Sequence, residues 1–171
     1  MSNDFRKQKN PRLHEALDQW WAGLERDRAA RAQLRRAHDI TAVSLTPAYQ
    51  RAYRRMRAAG WDEEGPSLRN DRLVAVIGLL AHVKTNGDQS PAQAMSRNNS
   101  DNDRPPVSSL RFQRLLESPD LDALFIGLRR VLPLINHQIS ITALANDILY
   151  WGDQVKKNWA YDYQWPAGKS D

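Results

Sequence analysis

The chain reads as an all-α protein, a two-lobed helical bundle with no significant sheet. Three observations predict this. Apolar residues recur at three- and four-residue intervals through most of the 171 residues. Helix starts are spelled as capping residues with proline beside them, at Thr46-Pro47 and at Ser118-Pro119-Asp120. Only the stretch 40–45 resembles a strand, and it is too short and solitary to build a sheet.

The elements follow in order. Leu13, Leu17, Trp20, Trp21 and Leu24 make an apolar stripe behind a polar tail. Asp27 caps a second helix, with Ala30, Leu34 and Ala37 inward and Arg28, Arg31 and Arg35 on the other face. The helix opened by Thr46-Pro47 carries Tyr49, Tyr53 and Met56 on one side and Arg51, Arg54 and Arg55 on another. Gly60 ends it, and Trp61 is expected to pack back. Leu73, Val74, Ile77, Leu80 and Ala81 mark the most buried helix of the first lobe. From Thr85 to Val107 the chain is mostly Asn, Ser, Asp, Gln, Gly and Pro, which reads as a partly ordered junction. The expected division is therefore a helical lobe over 1–84, a polar junction over 85–107 and a second helical lobe over 108–165. That second lobe holds Leu110, Phe112, Leu115 and Leu116, then Leu121, Leu124, Phe125, Leu128 and Leu132 up to Pro133. A last long helix is expected from Thr142 through Leu144, Ile148, Leu149, Trp151, Val155 and Trp159, followed by an aromatic tail. The four tryptophans Trp20, Trp21, Trp151 and Trp159 are expected to pack the lobes.

Charge narrows the function. The net charge is +5, and 19 of the 25 basic residues are arginines, gathered in helical clusters. Residues 1–60 carry 13 Lys/Arg against 6 Asp/Glu, while the remainder carries 12 against 14. Arginine offers a planar, permanently charged fork of donors that matches phosphate oxygens. A chain that repeats this fork along several helices points to a polyanion, and nucleic acid is the natural one. Tyrosines and arginines on the helix after Thr46 fall on different faces. That favours grip on the sugar-phosphate backbone over base reading. With no cysteine, disulfides and thiolate zinc sites are excluded, in keeping with a reducing cytoplasm. No secretory signal and no bilayer-length apolar run are visible, so a cytoplasmic protein without membrane contact is expected.

Catalytic motifs are sparse. There is no glycine-rich phosphate loop, no His-Glu-x-x-His and no nucleophile elbow. The one enzymatic alternative is His38-Asp39, a dipeptide used by all-α metal phosphohydrolases, with His14 upstream and Asp147 downstream as conceivable further ligands. Such residues also cap and turn helix ends. His82 and His137 read as packed histidines, Asp62-Glu63-Glu64 as a surface run, and Asp120 and Asp122 as residues suited to a helix N-terminus.

The order of segments adds a resemblance. Ala32-Gln33-Leu34-Arg35-Arg36-Ala37 precedes a Pro47-Ala48-Tyr49 helix and Gly60-Trp61. Then come Gly78-Leu79-Leu80-Ala81-His82-Val83, a polar loop, and Leu110-Arg111-Phe112-Gln113-Arg114-Leu115-Leu116. Leu128-Arg129-Arg130-Val131-Leu132, Leu144-Ala145-Asn146-Asp147-Ile148-Leu149-Tyr150-Trp151, Lys156-Lys157 and Trp159-Ala160-Tyr161 complete the series. Over residues 13–163 this resembles the small subunit of the type I-E CRISPR surveillance complex Cascade, the CasB family.

The resemblance implies an all-helical, two-lobed, non-enzymatic protein with no cofactor and no metal. Its implied partners are crRNA, target DNA, the backbone and large subunits, and a second copy of itself. Its implied role is to grip the guide, target and displaced-strand backbone and so stabilise the R-loop in antiviral defence. R-loop formation is a near-balanced exchange of duplexes, which modest backbone contacts can tip. Carried over by position, the expected nucleic-acid contacts are Arg35, Arg36, Arg111, Arg129, Arg130, Lys156 and Lys157, and Arg54 of the second arginine cluster is expected to join them. The alternatives are a free-standing nonspecific nucleic-acid binder, the His-Asp phosphohydrolase, and a pure scaffold whose arginines meet protein carboxylates.

Overall fold

The computed structural model describes residues 10–61, 67–97 and 104–167. The polar tail, the Asp62-Glu63-Glu64 run, part of the polar junction and the last four residues lie outside them. Among the described residues ten α-helices account for nearly all regular structure. Two short 3₁₀ turns and a ladder of two residues per strand complete it. None of these helices is long and apolar enough to cross a membrane.

Local chemistry sets the helix starts. Asn10, in the left-handed region at φ 61°, caps α1 (Pro11–Gly23) by accepting from the Leu13 amide, with Pro11 at the first turn. Asp27 caps α2 (Arg28–Arg36) through the Ala30 amide at 3.1 Å. Thr46 does the same for α4 (Pro47–Ala58) through Tyr49. Gly60, at φ 100°, supplies the left-handed residue that ends α4 and returns the buried Trp61 onto the core.

The stretch 40–45 corrects the one strand expectation. Residues Ile40–Ser44 form a short helix, α3. The β-branched run suggested extension, but Asp39 accepts from the Ala42 amide at 2.7 Å and fixes a helical first turn. The Ile40 amide, free at that turn, donates to Asp122 at 3.0 Å.

Helix α5 (Ser67–Leu80) is the hub, packed by α3, α4, α8 and α9. From Leu73 to Val83 every side chain is buried, so the helix is apolar on all sides, as a central helix must be. Gly78 leaves room for α8 to pack closely: an added Cβ would meet the Phe125 ring at 2.8 Å. Beyond α5, β1 (Thr85–Asn86) pairs in parallel with β2 (Gln138–Ile139).

The polar junction is more ordered than its composition suggests. Helix α6 (Pro91–Ser96) sits inside it and buries Pro91, Ala92, Ala94, Met95 and Ser96. Small residues bury little area each, and so leave a weak periodic signal. Val107 is also buried, and its carbonyl accepts from the Tyr163 hydroxyl at 2.6 Å.

Helix α7 (Ser109–Leu116) and α8 (Leu121–Val131) are capped by Ser108 and Asp120. Pro133 falls within a 3₁₀ turn, Leu132–Ile135, that follows α8. The expected single last helix is two. Ser140, not Thr142, caps α9 (Ile141–Leu149), and α10 (Asp153–Asp162) begins after a break at residues 150–152. The reason is tertiary. The half-buried Arg72 of α5 donates to the carbonyls of Leu149 at 3.2 Å and Trp151 at 2.8 Å, satisfying acceptors that the end of α9 leaves open.

The buried side chains from Leu13 to Tyr163 form one continuous apolar cluster. Trp159 is fully buried and donates its indole N–H to Asp147 at 2.8 Å, with the half-buried Trp151 edge-on at 4.8 Å. Trp20 is buried, and Trp21 donates to the Val83 carbonyl at 3.1 Å. Phe112 stacks on Tyr163 at 4.1 Å, so the aromatic tail closes over α7.

Candidate nucleic-acid interface

The expected basic contacts fall on five helices. Arg35 and Arg36 end α2, Arg54 lies on α4, Arg111 on α7, Arg129 and Arg130 end α8, and Lys156 and Lys157 lie on α10. Cations in a last turn also offset the helix dipole, so α2 and α8 hold their arginines at little cost in helix stability. Arg36, Arg54, Arg111, Arg130 and Lys157 are exposed. Among the described residues none of their charged groups makes an ion pair or side-chain hydrogen bond. Lys156 is half-buried, its ammonium 6.0 Å from the centre of the Trp151 ring, within reach of a cation–π contact.

Arg129 is placed differently from its neighbour. It is half-buried, and its Nε donates to His82 Nε2 at 3.2 Å. One terminal nitrogen meets His38 Nδ1 at 2.9 Å, and the other donates to the Arg35 carbonyl at 2.7 Å. A single guanidinium thus ties the end of α8 to the end of α2 and to the turn after α5. Arg35 and Arg129 are brought together through this backbone contact, with Arg36 and Arg130 on the exposed side of each.

His82 sits against this cation. Burial first, then the charges of Arg129 and Arg35, push its imidazole down from 6.5 to about 4. Its carbonyl accepts from His137 Nδ1, or meets it, at 2.9 Å. Burial also holds His14 below its ordinary value. Both groups bind fewer protons folded than unfolded. Stability they contribute is complete above pH 6.5 and is lost as pH falls below it, for His82 down to about 4, at up to about 1.4 kcal/mol per pH unit per group. The urea midpoint is therefore expected to fall between pH 7 and pH 5, and to fall less in His82→Gln. An equal midpoint at both pH values would refute this.

The enzymatic alternative finds no geometry. Asp39 is committed to capping α3, His38 faces Arg129, and His14 is buried on α1. Asp147 accepts from Trp159. Among the described residues no three His, Asp or Glu side chains converge as a metal site requires.

The sequence reading missed the engagement of Arg129 and left Arg114 out of the expected contacts. Arg114 shares a groove of about 500 Å³ with Arg111 and Arg130. The spacing of Arg111 and Arg114, three residues apart on one helix, was the signal available for it.

The fold and its surface define a class: a small all-α protein that presents, among the described residues, unpaired guanidinium groups from several helices. The model of the CRISPR-associated protein Cse2 family matches residues 30–163, and the chain belongs to that family. This bears out the small-subunit resemblance, although the matched region begins within α2 and leaves out α1. Among solved structures, a chain from the crystal structure of Escherichia coli Cascade bound to a PAM-containing dsDNA target is similar, with a TM-score of 0.61 and 22% identity. The likeness covers 88% of this chain and 91% of that one, and shows a shared fold. No curated protein matches the chain.

Proposed function

We propose that this chain is a non-catalytic subunit of a Cascade-type CRISPR surveillance complex, holding nucleic acid by its backbone to stabilise the R-loop. The observation that carries the reading is the set of exposed cations at Arg36, Arg54, Arg111, Arg130 and Lys157, unpaired among the described residues. Cations left without a carboxylate on five helices, among the described residues, remain available to an external polyanion. Membership of the Cse2 family and the shared fold with a chain of Cascade support the same reading. Arg35 and Lys156 join this set at its half-buried margin. Arg129 serves as the residue that sets Arg35 and Arg130 in place. The proposed partners are crRNA and target DNA, the backbone and large subunits, and a second copy of the chain, in the cytoplasm.

The test is affinity capture of the tagged chain from its native host at moderate salt, with sequencing of retained RNA. Uniform small RNAs of repeat-spacer structure, together with larger proteins, are expected. A bare chain, or one carrying heterogeneous RNA, would overturn the subunit reading in favour of a free-standing binder.

A further inference from the structure

We propose that the groove between α7 and α8 receives one nucleotide lifted out of its stack, its flanking phosphates on arginines and its base on an apolar floor. The inference rests on the reading that the basic faces hold nucleic acid, and it names the form of nucleic acid taken at one of them: a single strand with an unstacked base.

The groove encloses about 500 Å³, a volume suited to a planar ring and its sugar. Its rim carries Arg111 and Arg114 from α7 and Arg130 from α8. All three are exposed, and among the described residues none pairs with a carboxylate. Arg111 and Arg114 stand one turn apart on the same face, a spacing that suits successive phosphates of one strand.

Between the rims the floor is apolar and low. Ala123 and Ile126 are half-buried there. Gly127 lets Leu115 lie directly on the α8 backbone, since an added Cβ would stand 2.6 Å from Leu115 Cδ2. A wide, shallow apolar floor matches the face of a base. Bases stacked in a duplex present only their edges, so a duplex leaves this floor unused.

The arrangement of charge favours this occupant. Arg111 stands near the start of α7, Arg114 in its last turn and Arg130 at the end of α8, so cations flank the floor on both rims, while the connecting turn lines the groove with Ser118 and Pro119. A single strand sets a phosphate on either side of each uncharged base, which matches cations placed around an apolar floor.

The experiment measures binding of the full-length protein, at low salt, to a labelled short oligothymidylate and to the same strand with one central abasic residue. The abasic strand is expected to bind about tenfold more weakly. Ile126→Ser, and separately Ala123→Gln, should erase that difference while leaving the salt dependence set by the arginines. Two variants guard against a folding defect in either. Equal affinity of the wild type for both strands, with steep salt dependence, would overturn the groove assignment alone. Failure of both strands to bind would overturn the basic-face reading with it. An acidic amphipathic peptide that binds the wild type and is lost in Ala123→Gln, with no abasic effect, would assign the groove to a protein segment and overturn the proposal.

Discussion

Replacing Arg129 with methionine is expected to cost about 2–4 kcal/mol of folding stability and to lower the Tm by about 10 °C. The methionine keeps most of the apolar stem but removes a fork that serves three acceptors. The Arg35 carbonyl and the His82 imidazole are the expensive losses, because both lie in partly or fully buried surroundings. An unpaired buried polar group costs about 1–3 kcal/mol. The His38 contact is exposed and adds little. Losing the guanidinium also removes one of the charges that depress His82, so the acid sensitivity of the variant should lessen. The adjacent Arg130→Met is the internal control, since that side chain is exposed and should cost less than about 0.5 kcal/mol. Thermal and urea melts of the two variants compare neighbours of identical chemistry. Equal melting temperatures would show that the α2–α8 tie carries no stability.

The second large effect concerns binding. Removing Arg36, Arg111, Arg130 and Lys157 together, as alanines, should leave the fold intact, because all four side chains are exposed and unpaired among the described residues. Each lost phosphate contact lowers the slope of log K against log salt by about 0.7–0.9. Four contacts therefore lower it by about 3. The advantage of the wild type over the variant should be large at low salt and should narrow steeply as salt rises. Titrations of the assembled complex against target DNA at several salt concentrations give the slope directly. An unchanged slope with failed assembly would mean that the arginines meet protein carboxylates, as in a scaffold.

Much of this architecture was legible in the residues, and what escaped has a common cause. Thr46-Pro47, Asp27 and Ser118-Pro119-Asp120 announced their helices because a cap acts within three residues of itself. The run from Leu73 to Leu80 announced the central helix because burial on all sides leaves no polar face. Helix α3 was hidden because its β-branched residues suggest extension, while Asp122, the group that helps pin its first turn, lies far along the chain. The break after α9 was hidden for the same reason, since Arg72 supports it from α5. At the interface, clustering on helices was visible but the distinction between Arg129 and Arg130 was not. Adjacent arginines at the end of one helix look alike until the partner of each is known, and the partners of Arg129 come from α2 and from the turn after α5.

The pairing of β1 with β2 carries a consequence for the order of events at the ribosome. Thr85 and Asn86 cannot find their partners until Gln138 and Ile139 have been synthesised, and the Arg35 carbonyl waits for a donor 94 positions later. The arginines of α2 and α4 thus emerge first, on a chain whose long-range contacts are still missing. Closing such distant contacts is slow relative to helix formation. Translation adds about 5–20 residues per second, so the early basic helices spend several seconds without their final neighbours. A nascent fragment can attract RNA by charge alone, but the spatial arrangement of the five basic helices exists only once the last third of the chain has docked. Recruitment into a larger particle is accordingly a property of the finished polypeptide, and premature termination yields a sticky fragment instead of a partly working subunit.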